Sequence, residues 1–302
     1  MPRFRLSGSP RLTSRRLLTL RLVALAAMLL ALVVVPAYAV EMEDVARDAV
    51  DHAGLLPADV AMLEQADFRW RHLQTHHFVV HYERKTFATR VARMGEQFYD
   101  AISGDLPALQ DRMDPRRSHI FIFRKPRDWQ TVVANTPGLE PWAASFVRGQ
   151  AMYLQEIGRG KADKMSMLAH EMTHLVVNRF LTVRLPLWLN EGLAEYYGEF
   201  AYRRARGLTH RERNVFKALR DRTPLADLIA ATDYPADPAE VARFYATAKQ
   251  LVGWMLWKLP REKWTAFLTR IMAGERATAA LLDTYGWTDI DDLATEFADF
   301  NR

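Results

Sequence analysis

His170 and His174 stand four residues apart in the stretch MLAHEMTHLVV, Met167–Val177, with Glu171 between them. Residues four apart on a helix share a face, so both imidazoles can point at one ion. Neutral imidazole is a good zinc ligand, with nitrogen about 2.0–2.1 Å from the metal. Glu171 is rotated by about 100° from His170, which sets it beside such an ion and not on it. There a carboxylate can take a proton from water, whose pKa zinc lowers from about 15.7 to about 7. This is the helix-borne H-E-x-x-H pattern. A core helix holding two histidines against backbone carbonyls would look the same. Typical composition produces the pattern by chance in a chain this long about one time in a hundred. The next helix has to decide.

Two histidines leave a catalytic zinc site short, because such sites keep three protein ligands and one open position. Beyond His174 the chain reaches Leu185-Pro186, turns, and enters LWLNEGLAEYYGEF, where Glu191 lies 17 positions past the second histidine. A helix, a turn and a second antiparallel helix bring that carboxylate back over the first. Glu195, four residues on and on the same face, can accept the free N–H of a ligand histidine. A solvated helix face would account for Glu195 equally well. It accounts poorly for Glu191, because Trp188, Leu189, Leu193, Ala194 and Tyr197 make this helix mostly apolar. A buried carboxylate needs a partner, and a metal would serve.

Together, HEMTH and LPLWLNEGLAEYYGE resemble the gluzincin metallopeptidases, most of all the peptidase MA-like group related to thermolysin and the M1 aminopeptidases. The resemblance implies a zincin-like fold. It also implies one Zn²⁺ held by His170, His174 and Glu191, with Glu171 as the base and Glu195 bracing His170. Downstream, FYATAKQLVGWMLWKL is similar to the M1 segment whose tyrosine stabilises the oxyanion. That makes Tyr245 a catalytic candidate, with Tyr234 as a substitute. Thr247 and Ala248 stand where that family has lysine and glycine. In the same families the last strand before the zinc helix is a sheet edge that pairs with substrate. GQAMYLQE, Gly149–Glu156, holds that place, which makes Gly149, Met152 and Tyr153 the implied substrate contacts. Tyr153 stands where M1 enzymes carry the glutamate that binds a free amine, and nothing in the spacing makes Glu156 its replacement. Aminopeptidase activity is therefore not expected.

These residues need elements to hold them. Glu41–Ala66 reads as helical, with a break at Gly54–Pro57. Phe68–Glu83 is rich in aromatic and β-branched residues and predicts two strands turning near Gln74-Thr75. A helix over Lys85–Ile102, a strand over Ser118–Arg124, a short helix in DWQTVVANT and two strands within Ser145–Glu156 follow. From Asp163 to Arg302 nearly every segment has helical spacing, broken at prolines and glycines. Strands in one block and helices in the next predict an α+β fold, with an α/β lobe over about 67–160 and a helical lobe over about 161–302.

The start of the chain is of another kind. Six arginines and no acidic residue precede Glu41, Leu22–Val35 is apolar, and Ala37-Tyr38-Ala39 is a small-x-small cleavage pattern. This order predicts a signal peptide over residues 1–39 and a peptidase domain over 40–302. The protein is then exported to the periplasm or beyond, meeting the membrane only through the leader if it stays uncleaved. The whole chain carries +5, and losing the six leader arginines leaves −1, so the basic balance gives no argument for nucleic-acid binding. With no cysteine there is no disulfide, thiolate site or cysteine nucleophile. His72, His76, His77 and His81 read as ordinary strand histidines. On a strand, His77 and His81 would share a face about 13 Å apart. His119 and His210 have no partner pattern. The basic stretch Tyr202–Arg222 reads as a solvated loop and helix, with an anionic cell-wall or lipid surface as the alternative. The expected partner is a peptide or protein substrate. The competing expectations are a non-catalytic zinc-containing peptide-binding module and a hydrolase of a non-peptide cell-envelope amide.

Overall fold

Phe78–Tyr82 and Ser118–Phe123 send alternate side chains to opposite faces of a sheet, and every residue of both strands is buried. Helices must therefore cover that sheet on both sides. The computed structural model describes residues 40–106, 113–139, 143–156, 163–181, 183–216 and 221–300. The predicted leader, Met1–Ala39, lies outside the described residues.

The strands are β1 (Glu43–Val45), β2 (Arg71–Gln74), β3 (Phe78–Tyr82), β4 (Ser118–Phe123), β5 (Ser145–Arg148) and β6 (Ala151–Gln155), in the spatial order β1-β2-β3-β4-β6-β5. β3, β4 and β6 run parallel, while β1, β2 and β5 pair antiparallel to their neighbours. The parallel pair β3–β4 is joined by a crossover through the long helix Lys85–Asp105. In chain order the helices are α1 (Pro57–Glu64), α2 (Lys85–Asp105), α3 (Pro126–Ala134), α4 (Asp163–Val177), α5 (Leu187–Ala205), α6 (Glu212–Val215), α7 (Leu225–Ala230), α8 (Pro238–Trp257), α9 (Arg261–Met272), α10 (Ala277–Tyr285) and α11 (Ile290–Phe300). The fold is α+β, as the segregation of strand and helix patterns predicts.

One sheet face presents Phe78, Val80, Tyr82, Ile120, Ile122, Met152 and Leu154 to α2 and α4. The main core continues from there through α5, α8 and the C-terminal helices. The other face carries Phe121, Phe123, Ala151 and Tyr153 against Leu63 of α1 and Trp129, Val132 and Val133 of α3. α5 lies between α4 and α8.

Three expectations are corrected. Glu41–Ala66 is not helical throughout: Glu43–Val45 is a strand pairing with Val45 opposite His72, and the α-helix begins at Pro57. Only pairing with β2 makes this acidic tripeptide a strand, so the sheet starts well before residue 67. His77 does not lie on a strand face with His81. It precedes β3 and is held to Glu96 of α2, Nδ1 to Oε2 at 2.6 Å and its N–H to Oε1 at 2.8 Å. His119 does have partners, as part of a buried histidine row.

In that row His72, His81 and His119 sit on adjacent strands at 4%, 0% and 1% exposure. Burial is the main cause that holds His81 well below the ordinary imidazole range and His119 at about 4. For His119 the charge of His52 adds to this, while Asp51 and Asp59 oppose it. An unfolded histidine titrates near 6.5. The penalty on the folded state is absent above about pH 6.5 and grows as pH falls toward 4, because only the unfolded chain then takes the proton. For His119 alone this reaches about 3 kcal/mol. Urea midpoints should fall between pH 7 and pH 4.5, and fall less steeply in His119→Phe. Equal slopes would refute the neutral-ring account.

Candidate metal centre

α4 presents His170 and His174 one turn apart, and the chain reverses at Pro186 to lay α5 across it. The approach is close because Gly198 of α5 meets the His170 backbone. A Cβ added there would stand 2.9 Å from the His170 Cα and 3.0 Å from its nitrogen. Gly198→Ala should therefore cost about 1–3 kcal/mol of stability by forcing the helices apart, read from urea unfolding. An unchanged midpoint would show that the helices yield freely.

The result is a converging trio. His170 Nε2 and His174 Nε2 are 3.2 Å apart, and Glu191 Oε2 is 3.4 Å from the first and 3.7 Å from the second. Three tetrahedral ligand atoms about 2.0–2.1 Å from a zinc ion stand roughly 3.3 Å from one another. The donor set and spacing thus fit zinc. Among the described residues, this is the one group of histidines and carboxylates that could hold a metal ion. The side chains of His170, His174 and Glu191 are 18%, 12% and 3% exposed, an arrangement shielded from water but open on the histidine side.

The outer nitrogens are also held. His170 Nδ1 is 3.1 Å from Glu195 Oε1, and His174 Nδ1 is 3.2 Å from Asn190 Oδ1. Each acceptor fixes a proton on Nδ1 and leaves Nε2 to face the centre. Asn190 acts twice, because its Nδ2 donates to Glu191 Oε1 at 3.1 Å. Tyr234 donates to the same oxygen at 2.8 Å. Oε1 is thereby engaged and Oε2 is the atom turned to the histidines. Burial disfavours charge here, but hydrogen bonds to Glu191 and Glu195 override it and push His170 up to about 10. Burial is likewise overridden at Glu191, which the two histidines hold well below the usual carboxylate range. Asn190→Ala should weaken zinc binding about 10–100-fold, measured by chelator competition. An unchanged affinity would show that Asn190 only packs.

Glu171 lies beside the trio and accepts a hydrogen bond from Ser145 Oγ at 3.1 Å. Ser145 belongs to β5, which flanks α4. The Tyr245 ring on α8 is 6.1 Å from the His170 ring, centroid to centroid, and stacks at 5.9 Å on Tyr234. Both tyrosines are brought to the centre, with the Tyr234 hydroxyl on the Glu191 carboxylate. Burial, Glu191 and Tyr245 raise the Tyr234 phenol far above its ordinary range, so it stays a proton donor.

The chain matches no protein-family model and no curated protein sequence.

The substrate-edge expectation is corrected. β6 is not the sheet edge: it lies between β4 and β5, and β5 is outermost. Met152 and Tyr153 are 0% and 1% exposed, and Tyr153 OH donates to Asp59 at 2.6 Å, so neither side chain is open to a substrate. Gly149 forms the turn between the two strands at φ +57°, and its carbonyl accepts from Asn178 at 2.8 Å. Ser145 and Asn190 were not expected at the site. Asn190 had a signal, a polar residue beside Glu191 in an otherwise apolar helix. Ser145 had none.

Proposed function

We propose that this protein is an exported zinc metallopeptidase of the gluzincin type, with a zincin-like fold, that hydrolyses peptide bonds in peptide or protein substrates. The triangle of His170 Nε2, His174 Nε2 and Glu191 Oε2, matched to the spacing of zinc ligands, carries the reading. Zinc held by these three residues would supply Lewis acidity to the scissile carbonyl and make water acidic enough to be deprotonated near neutral pH. Glu171 then accepts a proton from the attacking water at its carboxylate and delivers it to the departing amine nitrogen. Ser145 orients that carboxylate. Tyr245, with Tyr234 stacked against it, donates a hydrogen bond to the oxygen that gains charge. β5, the outermost strand among the described residues, carries Ser145 to Glu171 and is a place for an extended substrate strand.

The deciding experiment has two readouts on purified Val40–Arg302. Mass spectrometry should find about one zinc per chain, and a peptide library should be cleaved in a manner that a chelator abolishes. Zinc with saturable peptide binding but no cleavage would favour a binding module. Zinc with cleavage only of cell-wall amides would move the substrate class. Protein that takes up no zinc would overturn the proposal.

A further inference from the structure

The histidine row across the sheet ends in an unused atom. His72 Nδ1 is 2.8 Å from His81 Nδ1, and His81 Nε2 is 2.9 Å from His119 Nδ1. The row lies on the face of Phe121 and Tyr153, opposite the face that packs on α4, so it belongs to no part of the metal centre. Because His72 Nδ1 is turned to His81, the other edge of its ring is free to face outward. His72 is 4% exposed, and its Nε2 is buried with no hydrogen-bond partner among the described residues. Buried polar atoms are nearly always satisfied, so His72 Nε2 calls for a hydrogen-bond partner on the pocket side.

His72 lines a pocket of about 350 Å³. That is far more than the roughly 30 Å³ share of one water and falls in the range of small-molecule sites. Its floor is His72 with the buried side chains of Val50 and Leu63, and its rim carries Arg47, His52, Asp48 and Glu64. Arg47 is tied down by a hydrogen bond from Nη2 to the Leu63 carbonyl at 3.1 Å. Besides burial, the charges that act on the His72 ring are those of Arg47 and His52. The pocket thus combines donors, Arg47, His52 and the His72 ring edge, with two acids, Asp48 and Glu64. A metal ion is not the occupant this arrangement suits, because no group of three ligand atoms converges here.

A row of neutral imidazoles can be polarised in two ways. If each ring donates away from the pocket, His72 Nε2 is a bare lone pair. If each donates toward it, Nε2 carries a proton and points it outward. An anion between Arg47 and His52 selects the second arrangement. We propose that this pocket binds a small carboxylate-bearing ligand, held by His72 Nε2–H, Arg47 and His52. Asp48 and Glu64 at the rim repel a second negative charge and accept an ammonium group. They favour a monoanionic or zwitterionic carboxylate over a phosphate dianion.

The test is a titration of the purified protein with acetate, with glycine and with inorganic phosphate, following the histidine ring nitrogens by NMR. The expected result is a saturable shift of His72 Nε2 with acetate or glycine in the millimolar range. Arg47→Gln should weaken binding about tenfold or more, the loss of one charge-assisted hydrogen bond. His52→Ala, an exposed position, repeats the test on a second variant. No saturable shift with any of the three probes would overturn the site. So would equal binding in both variants. Phosphate binding more tightly than acetate would overturn the carboxylate assignment. Peptide hydrolysis is not part of the readout, so failure here is separate from failure of the metallopeptidase proposal.

Discussion

On the proposed mechanism, Glu171→Gln is expected to keep zinc bound and to lower peptide hydrolysis by about 10²–10⁴-fold, the usual contribution of a positioned proton-transfer group. The change is nearly isosteric. The glutamine Oε1 can still accept from Ser145, which holds Glu171 Oε1 at 3.1 Å in the wild type. None of the three converging ligand atoms belongs to residue 171, so metal content should stay the same. What the amide cannot do is take a proton from water and return it to a leaving amine. The loss should fall on kcat, with KM changed little, because the missing interaction arises in the reaction and not in substrate binding. Zinc content measured on the same sample separates this from a structural defect. A zinc-replete variant that turns over at the wild-type rate would remove Glu171 from the mechanism.

The residues of the centre were legible in the sequence to the extent that a helix converts spacing into geometry. His170 and His174 share a face because α4 is regular, and Glu191 returns because Pro186 ends one segment and starts another. The partners that complete the centre were not legible. Ser145 reaches Glu171 across 26 residues and Tyr234 reaches Glu191 across 43, and no local period encodes such contacts. The same limit applied to the sheet. β5 and β6 were expected as strands, but which one is outermost depends on β6 pairing with β4, a choice made by the burial of Met152 and Leu154 against α4 and α2. Glu43–Val45 has no strand pattern of its own and is a strand only because β2 offers it a free edge. The histidine row required lateral register, with His72 directly opposite His81, and spacing along one strand says nothing about register across strands.

On the proposed ligand set, His174→Ala should abolish zinc binding while leaving a folded chain, because the buried Glu191 carboxylate has protein partners other than His174. Glu191, 3% exposed at its side chain, has its carboxylate partnered by Tyr234 at 2.8 Å and Asn190 at 3.1 Å, with His170 at 3.4 Å. Loss of His174 therefore does not strand a buried charge, the usual cause of collapse when an ionic partner is removed. It leaves two ligand atoms, too few for a catalytic zinc site. An ion that binds only the folded chain stabilises it by about 2.7 kcal/mol at 100 times Kd and about 4.1 kcal/mol at 1,000 times. In a domain of this size each kcal/mol raises Tm by roughly 2–4 °C. Wild-type protein should thus melt roughly 5–15 °C higher with zinc than after chelation, and His174→Ala should show one cooperative transition that zinc does not move. A zinc-dependent rise of wild-type size in the variant would place the ion elsewhere and sink the three-ligand centre. A variant that no longer melts cooperatively even without zinc would show that His174 holds the α4–α5 packing, and Asn190→Ala would then carry the test of the ligand set.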